Sequence, residues 1–157
     1  MLSMIGQEAP DFALTNLQGG PVQLSSLRGT PVLLNFFKST CAWCQAEMPR
    51  LADIYRRMND VDVHVVGIVV GKDDASSAEK FALDKNLDFP LAIDDQSQVR
   101  ADYGLQRVPS LVLVDAEGKV ARVYEGSSEQ LSGIVEQTIL AAARGDEPPD
   151  YYLVGNG

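Results

Sequence analysis

Val32-Leu33-Leu34-Asn35-Phe36-Phe37-Lys38-Ser39-Thr40-Cys41-Ala42-Trp43-Cys44 is the stretch on which the fold turns. Its first six residues are apolar apart from Asn35, and Pro31 stands just before them. A continuous apolar run of this length reads as a strand covered on both faces, which puts it centrally in a sheet. Beyond Cys44, the residues Met48, Leu51, Ile54, Tyr55 and Met58 recur at helical spacing and predict a helix over about residues 41–59. The segment Cys41-Ala42-Trp43-Cys44 therefore lies where a buried strand passes into a helix.

Working outward, the same alternation repeats. Residues 61–70 are rich in β-branched side chains and predict a strand, and Asp73 to Ser77 carry a start signal for a helix running to Leu83. Residues 89–93 predict a brief strand and 99–103 a short helix ending at Gly104, where positive φ is useful. Two β runs, 108–114 and 120–124, flank the turn Asp115-Ala116-Glu117-Gly118, which is a hairpin signal. Ser128 and residues 130–143 close with helical periodicity in Leu131, Ile134, Val135, Ile139 and Leu140. Ahead of the central strand, residues 6–20 predict a small edge hairpin continuing into 22–24. The order implies an α/β layered domain with a mixed sheet, parallel at helical crossovers and antiparallel at the last hairpin.

Composition narrows the function classes. At 157 residues the chain has length for one core, and residues 1–144 read as one domain. Residues 145–157 carry two prolines and little periodicity, so they read as a loosely attached tail. The net charge of −9 disfavours nonspecific attraction to nucleic acid, and no apolar stretch approaches the roughly 20 residues of a membrane helix. Met1 to Ile5 show no secretory pattern. The chain as written reads as cytoplasmic, or as periplasmic or otherwise extracytoplasmic if a signal or anchor has been removed.

Only two cysteines occur, too few for a disulfide scaffold. Placed at random they would fall three apart only about one time in eighty, so the spacing itself argues for a linked role. One helical turn brings residues i and i+3 to the same face, close enough for their sulfurs to bond reversibly. Cys41 falls at the helix start, where unpaired N–H groups and the positive end of the helix dipole stabilise a thiolate, the attacking species. That makes Cys41 the nucleophile and Cys44, one turn inside, the resolving thiol. A purely structural disulfide is the alternative, although it would close a loop too short to constrain much unfolded chain.

Residues 36–49, Phe-Phe-Lys-Ser-Thr-Cys-Ala-Trp-Cys-Gln-Ala-Glu-Met-Pro, resemble the active-site strand and helix of the TlpA/ResA branch of thioredoxin-like proteins, in the AhpC/TSA-redoxin superfamily. The opening Ala9-Pro10-Asp11-Phe12 and the later Tyr103-Gly104-Leu105 and Val108-Pro109 are similar to that branch too, so the match covers roughly residues 5–144. The resemblance implies a thioredoxin-like fold, with an N-terminal β-hairpin and a helix inserted between central strands, and a thiol:disulfide oxidoreductase. It implies disulfide-containing protein substrates, an upstream thiol electron donor and a monomer. A dithiol needs no cofactor and no metal, and none is expected.

Residue roles follow from the same likeness. Pro109 matches the cis-proline that faces the dithiol in such folds, and Val108 would offer its backbone to an extended substrate segment, as an added strand does. Pro49 matches the helix-kinking proline. Trp43 departs from the pattern, since the residue before the first cysteine, often Trp, is Thr40 here. An exposed Trp beside a nucleophile can pack on a substrate, which makes Trp43 a candidate contact. Thioredoxin itself has an acid six positions before its first cysteine; here that residue is Asn35, which exchanges no proton at ordinary pH. Glu47, three residues beyond Cys44, occupies a position that the branch associates with its active site, so it is the candidate to take a proton from Cys44. An ordinary exposed helix glutamate is the other reading.

Two further residues have bland and sharp readings. Lys38 either favours the Cys41 thiolate or is a solvated lysine. His64, the only histidine, falls among apolar strand residues and reads as structural. Two other activities of similar folds are weighed. A peroxiredoxin places Pro and Thr before its peroxidatic cysteine where this chain has Leu34 and Lys38, and a copper-binding module would use two cysteines with a histidine.

Overall fold

The computed structural model describes residues 4–71, 75–94, 96–126 and 131–150. Strand β3 (Val32–Phe37) is buried at all six positions. It lies in the middle of the five-stranded sheet β5-β4-β3-β6-β7, formed with β4 (His64–Val70), β5 (Leu91–Asp94), β6 (Ser110–Val114) and β7 (Val120–Glu125). Pairing is parallel for β3/β4 and β4/β5 and antiparallel for β3/β6 and β6/β7, which is the mixed sheet the element order implies. An N-terminal hairpin of β1 (Ala13–Thr15) and β2 (Pro21–Gln23) forms a separate two-stranded sheet.

Alternation along β3 explains its apolar run. Leu33 and Phe37 face the layer of α1 (Ala42–Arg57), α2 (Ala75–Asp84) and α4 (Leu131–Arg144), against Met48, Leu51, Phe81, Leu131 and Ile139. Leu34 and Phe36 face the opposite layer, where Phe12, Val22 and Leu24 join Val99 and Tyr103 around α3 (Gln98–Asp102). With both faces covered there is no polar side, so period-two alternation disappears from the sequence. Each fully buried Leu or Phe here contributes roughly 1.5–3 kcal/mol of transfer free energy.

Boundaries shift where local backbone chemistry overrides side-chain preference. The strand expected from residue 61 begins at His64, because Val61 N–H donates to the Met58 carbonyl (3.0 Å) and Val63 N–H to the Val61 carbonyl (2.8 Å), winding the chain off α1. Pro90 and Pro109 cannot donate to a ladder, and β5 and β6 each start one residue after them. Gly104 ends α3 with φ +67°, as its position predicts. The helix start at Asp73, the residues Ser128 and Gln130, and residues 151–157 of the tail lie outside the described residues.

Residues 145–150, the described part of the tail, lie against the sheet. Arg122 and Tyr124, on one face of β7, reach over to it. The Arg122 guanidinium donates to the Pro148 carbonyl (2.8 Å) and pairs with Glu147 (3.1 Å) and Asp150 (3.3 Å), and the Tyr124 hydroxyl donates to the Pro149 carbonyl (2.8 Å). A segment without periodicity of its own is thus held by groups of the sheet, which no local pattern announces.

Candidate active site

The site forms where β3 delivers the chain to α1. Cys41 is the N-cap, with extended backbone (φ −83°, ψ 120°), and its Sγ accepts the Cys44 N–H at 3.2 Å. Its carbonyl accepts the Gln45 N–H at 3.0 Å, so the helix starts immediately after it. A sulfur here plays the part that Ser or Asp oxygens usually play at a helix start. It accepts an N–H of the first turn at the positive end of the helix dipole, a setting that favours negative charge. Gln45 ties the preceding turn down by donating from its amide to the Ser39 carbonyl (3.0 Å).

The two thiols differ in access. Cys41 is half-buried, whereas Cys44 has no exposed surface and packs with Met48, Leu51 and Phe37. An incoming disulfide therefore meets Cys41 first. Trp43 stands beside the pair with 61% of its surface exposed, on the solvent side of the first turn.

A second segment closes the site from across the sheet. The Val108–Pro109 bond is cis, and the Cys41 thiol donates to the Val108 carbonyl at 3.7 Å. Val108 is half-buried and Pro109 buried. The structure thus brings Cys41, Cys44, Glu47 and Val108-Pro109 to one end of β3, with Trp43 at the rim.

Glu47 is not the exposed helix glutamate of the bland reading: it is 4% exposed, on the inward face of α1 one turn beyond Cys44. Close by lies a polar group set within the apolar layer. Asn35 donates from its amide to the Tyr55 hydroxyl (3.1 Å) and, more weakly, to the Met48 sulfur (3.6 Å). The Asn35 carbonyl oxygen has no hydrogen-bond partner among the described residues. Burial pushes the Tyr55 phenol well above its ordinary range, the Asn35 hydrogen bond opposes this, and the nearby Glu47 charge adds to the rise. Tyr55 is therefore neutral at any working pH. The sequence named Asn35 for what it lacks; its tie to Tyr55, two turns of helix beyond Met48, had no local signal.

Lys38 stays beside the site: its carbonyl accepts the Cys41 N–H at 3.3 Å, and its stem lies over Gly71, just past the end of β4 that neighbours the cysteines. His64 pairs in register with Val32, at the opposite end of β3 from the cysteines. Five residue steps along the strand, roughly 17 Å, separate those ends, so His64 and the dithiol cannot share one metal ion. Pro49 sits inside α1, which continues through it. Glu125, which no pattern singled out, touches the loop before Pro109 from β7: its Oε1 accepts the Gln106 N–H at 2.7 Å and the Arg107 N–H at 3.3 Å.

Known proteins place this arrangement. The AhpC/TSA family model matches residues 5–123. The chain is 33% identical over 135 residues to the thiol-disulfide oxidoreductase ResA of Bacillus thuringiensis (strain Al Hakam), covering 85% of this chain and 78% of that one. It is 37% identical over 123 residues to ResA of Geobacillus thermodenitrificans, covering 78% and 70%. A solved structure assigned as the thiol:disulfide interchange protein DsbE of Chlorobium tepidum superposes with a TM-score of 0.82 at 31% identity, over 90% of this chain and 99% of that one. The thioredoxin domain of a thiol-disulfide oxidoreductase from Bacteroides vulgatus does so with a TM-score of 0.74 at 25% identity, over 88% and 99%.

Proposed function

This chain belongs to the AhpC/TSA family and, like its ResA relatives, is a thiol:disulfide oxidoreductase, and we propose that it reduces protein disulfides through Cys41 and Cys44. The observation that carries the residue roles is the asymmetry of the pair, a reachable sulfur at the helix N-cap and a fully buried one a turn behind it.

In the reading we favour, the Cys41 thiolate attacks one sulfur of a substrate disulfide. A Cys41–substrate bond forms, the substrate S–S bond breaks and one substrate thiolate leaves. Cys44 then gives its proton to Glu47 and attacks Cys41 Sγ. The Cys41–Cys44 bond forms, the second substrate thiolate leaves and takes up a proton, and two electrons have passed from protein to substrate. An upstream dithiol donor reverses the last bond and restores the reduced pair. Backbone at Val108 pairs with an extended substrate segment, and Trp43 packs against it at the rim. The catalytic unit is residues 1–144, and it acts as a monomer.

The test uses single cysteine variants and insulin as a protein disulfide. Cys41→Ser lowers reduction at least about a thousand-fold, whereas Cys44→Ser still attacks and accumulates a mixed disulfide visible by intact mass. Equal trapping by both variants would reverse the assignment of nucleophile and resolving thiol. Direction is tested by the reduction potential against glutathione: a value near that of thioredoxin, about −270 mV, fits a reductant, and one near about −120 mV an oxidant.

A further inference from the structure

The loop that meets Cys41 is a short turn of exposed backbone, held on one side by the Arg100 guanidinium, which donates to the Leu105 carbonyl (3.2 Å), and on the other by β7. Leu105 is buried, Gln106 and Arg107 are exposed, and Val108 follows half-buried. Successive N–H groups at 106 and 107 converge on a single carboxylate oxygen, Glu125 Oε1, at 2.7 and 3.3 Å. Two adjacent amides turned to one side form a concavity suited to an anion, and the protein fills it with its own side chain. Just beyond β7, the Gly126 N–H donates to the Pro109 carbonyl at 2.8 Å. The Ser110 hydroxyl donates to the Arg107 carbonyl at 2.5 Å, closing the turn on itself. Of these, only Glu125 supplies a charged acceptor. Among the described residues it is also the one side chain outside positions 106–109 that binds two of the loop's backbone groups.

We propose that Glu125 is a positioning residue for substrate binding, holding the 106–109 loop so that the Val108 backbone is presented to an extended segment at the Cys41 sulfur. The inference rests on the thiol:disulfide oxidoreductase reading above. Removing the carboxylate releases two N–H groups to water and lets Arg107 and Val108 sample other orientations. A substrate that binds by pairing with that backbone must then order it, which weakens binding. A small disulfide that reacts with Cys41 without pairing does not depend on the loop. Glu125 takes no part in bond making, and its effect belongs to half-saturation with large substrates.

The experiment compares wild type, Glu125→Ala and Glu125→Gln, pre-reduced, in single-turnover reaction with insulin and with the small aromatic disulfide DTNB. Circular dichroism melting of each variant establishes that it is folded. Glu125→Ala raises the insulin concentration at half-maximal rate about five-fold, the scale of one ordinary net hydrogen bond, with little change in the maximal rate or the DTNB rate. Glu125→Gln keeps an acceptor oxygen and recovers most of the insulin affinity. An unchanged insulin half-saturation in Glu125→Ala overturns the inference, as does equal slowing with insulin and DTNB. Wild-type protein that reduces neither disulfide overturns the underlying reading, and the inference with it.

Discussion

At the Cys41 sulfur a helix turn meets a loop from 67 residues further along the chain, and the two are held by different means. The helix side is local. Cys44 N–H to Cys41 Sγ, Gln45 N–H to the Cys41 carbonyl and Gln45 amide to the Ser39 carbonyl all span six residues or fewer. The loop side adds remote holds to its local ones, the Ser110 hydroxyl on the Arg107 carbonyl and the Arg100 guanidinium on the Leu105 carbonyl: Glu125 on β7 and Gly126 just beyond it reach the loop from 17 to 19 residues away in sequence. A reacting sulfur held by its own helix keeps its geometry whatever the substrate, whereas a loop held across the sheet is adjustable by changes on β7. Chemistry and recognition are thus mechanically separable in this site.

The largest expected effect tests the helix side. If the N-cap geometry persists in solution, iodoacetamide labels Cys41 at least about a hundred times faster than Cys44, because reaching the buried thiol requires local opening. Mass spectrometry during labelling reads the ratio directly. Comparable rates would mean that the first turn frays, and the contrast with the loop would fall.

A middle-sized effect concerns Glu47, buried on the same face as Cys44. Glu47→Gln leaves formation of the mixed disulfide within about two-fold but slows its resolution on the order of tenfold near neutral pH, the lower part of the range for a lost proton acceptor. Rapid mixing followed across about pH 6 to about 9 gives both rates, and a decay unchanged in rate and pH profile would remove Glu47 from the proposal. Since Glu47 acts on Cys44 after the mixed disulfide has formed, insulin half-saturation in its formation is unchanged in this variant, opposite to the expectation for Glu125→Ala.

This division also governs what was legible in the sequence. Strand β3, helix α1 and the cysteine pair are written in contiguous residues, because a doubly covered strand, a 3.6-residue period and an i, i+3 spacing are all local patterns. Pro109 and Val108 were found only through family likeness, and their contact with Cys41 depends on β6 lying antiparallel beside β3. Glu125 was missed because its register opposite Ser110 is set by the β6/β7 pairing and nothing in Tyr124-Glu125-Gly126 announces a loop partner. The docking of Pro148 and Pro149 on Arg122 and Tyr124 was missed for the same reason.

The smallest effect uses the other face of β7. Tyr124 alternates with Glu125 along the strand, and its hydroxyl lies 3.2 Å from Thr138 on α4 and donates to the Pro149 carbonyl. Burial raises the Tyr124 phenol above its ordinary value of 10.0, opposed by the Thr138 hydrogen bond and the Arg122 charge, with Asp150 adding to the rise. The sign of the linkage follows. Below about pH 10 the phenol is protonated in both folded and unfolded chains, so its contribution to stability is fully present. Above that, the unfolded chain releases a proton that the folded chain retains, and stability falls as pH rises towards the folded value. Tyr124→Phe therefore lowers stability by about 1 kcal/mol at neutral pH, and the deficit shrinks as pH rises beyond about 10 because the variant has one fewer phenol to ionise on unfolding. Urea unfolding at about pH 7 and about pH 11 measures both values, and a deficit that does not change with pH would show that burial of the phenol is not what separates the two states. The same variant divides the faces of the strand: insulin half-saturation stays within about two-fold of wild type, because the tail and the loop hang on opposite sides of β7. A rise matching that of Glu125→Ala would mean that tail docking and loop position are one mechanical unit.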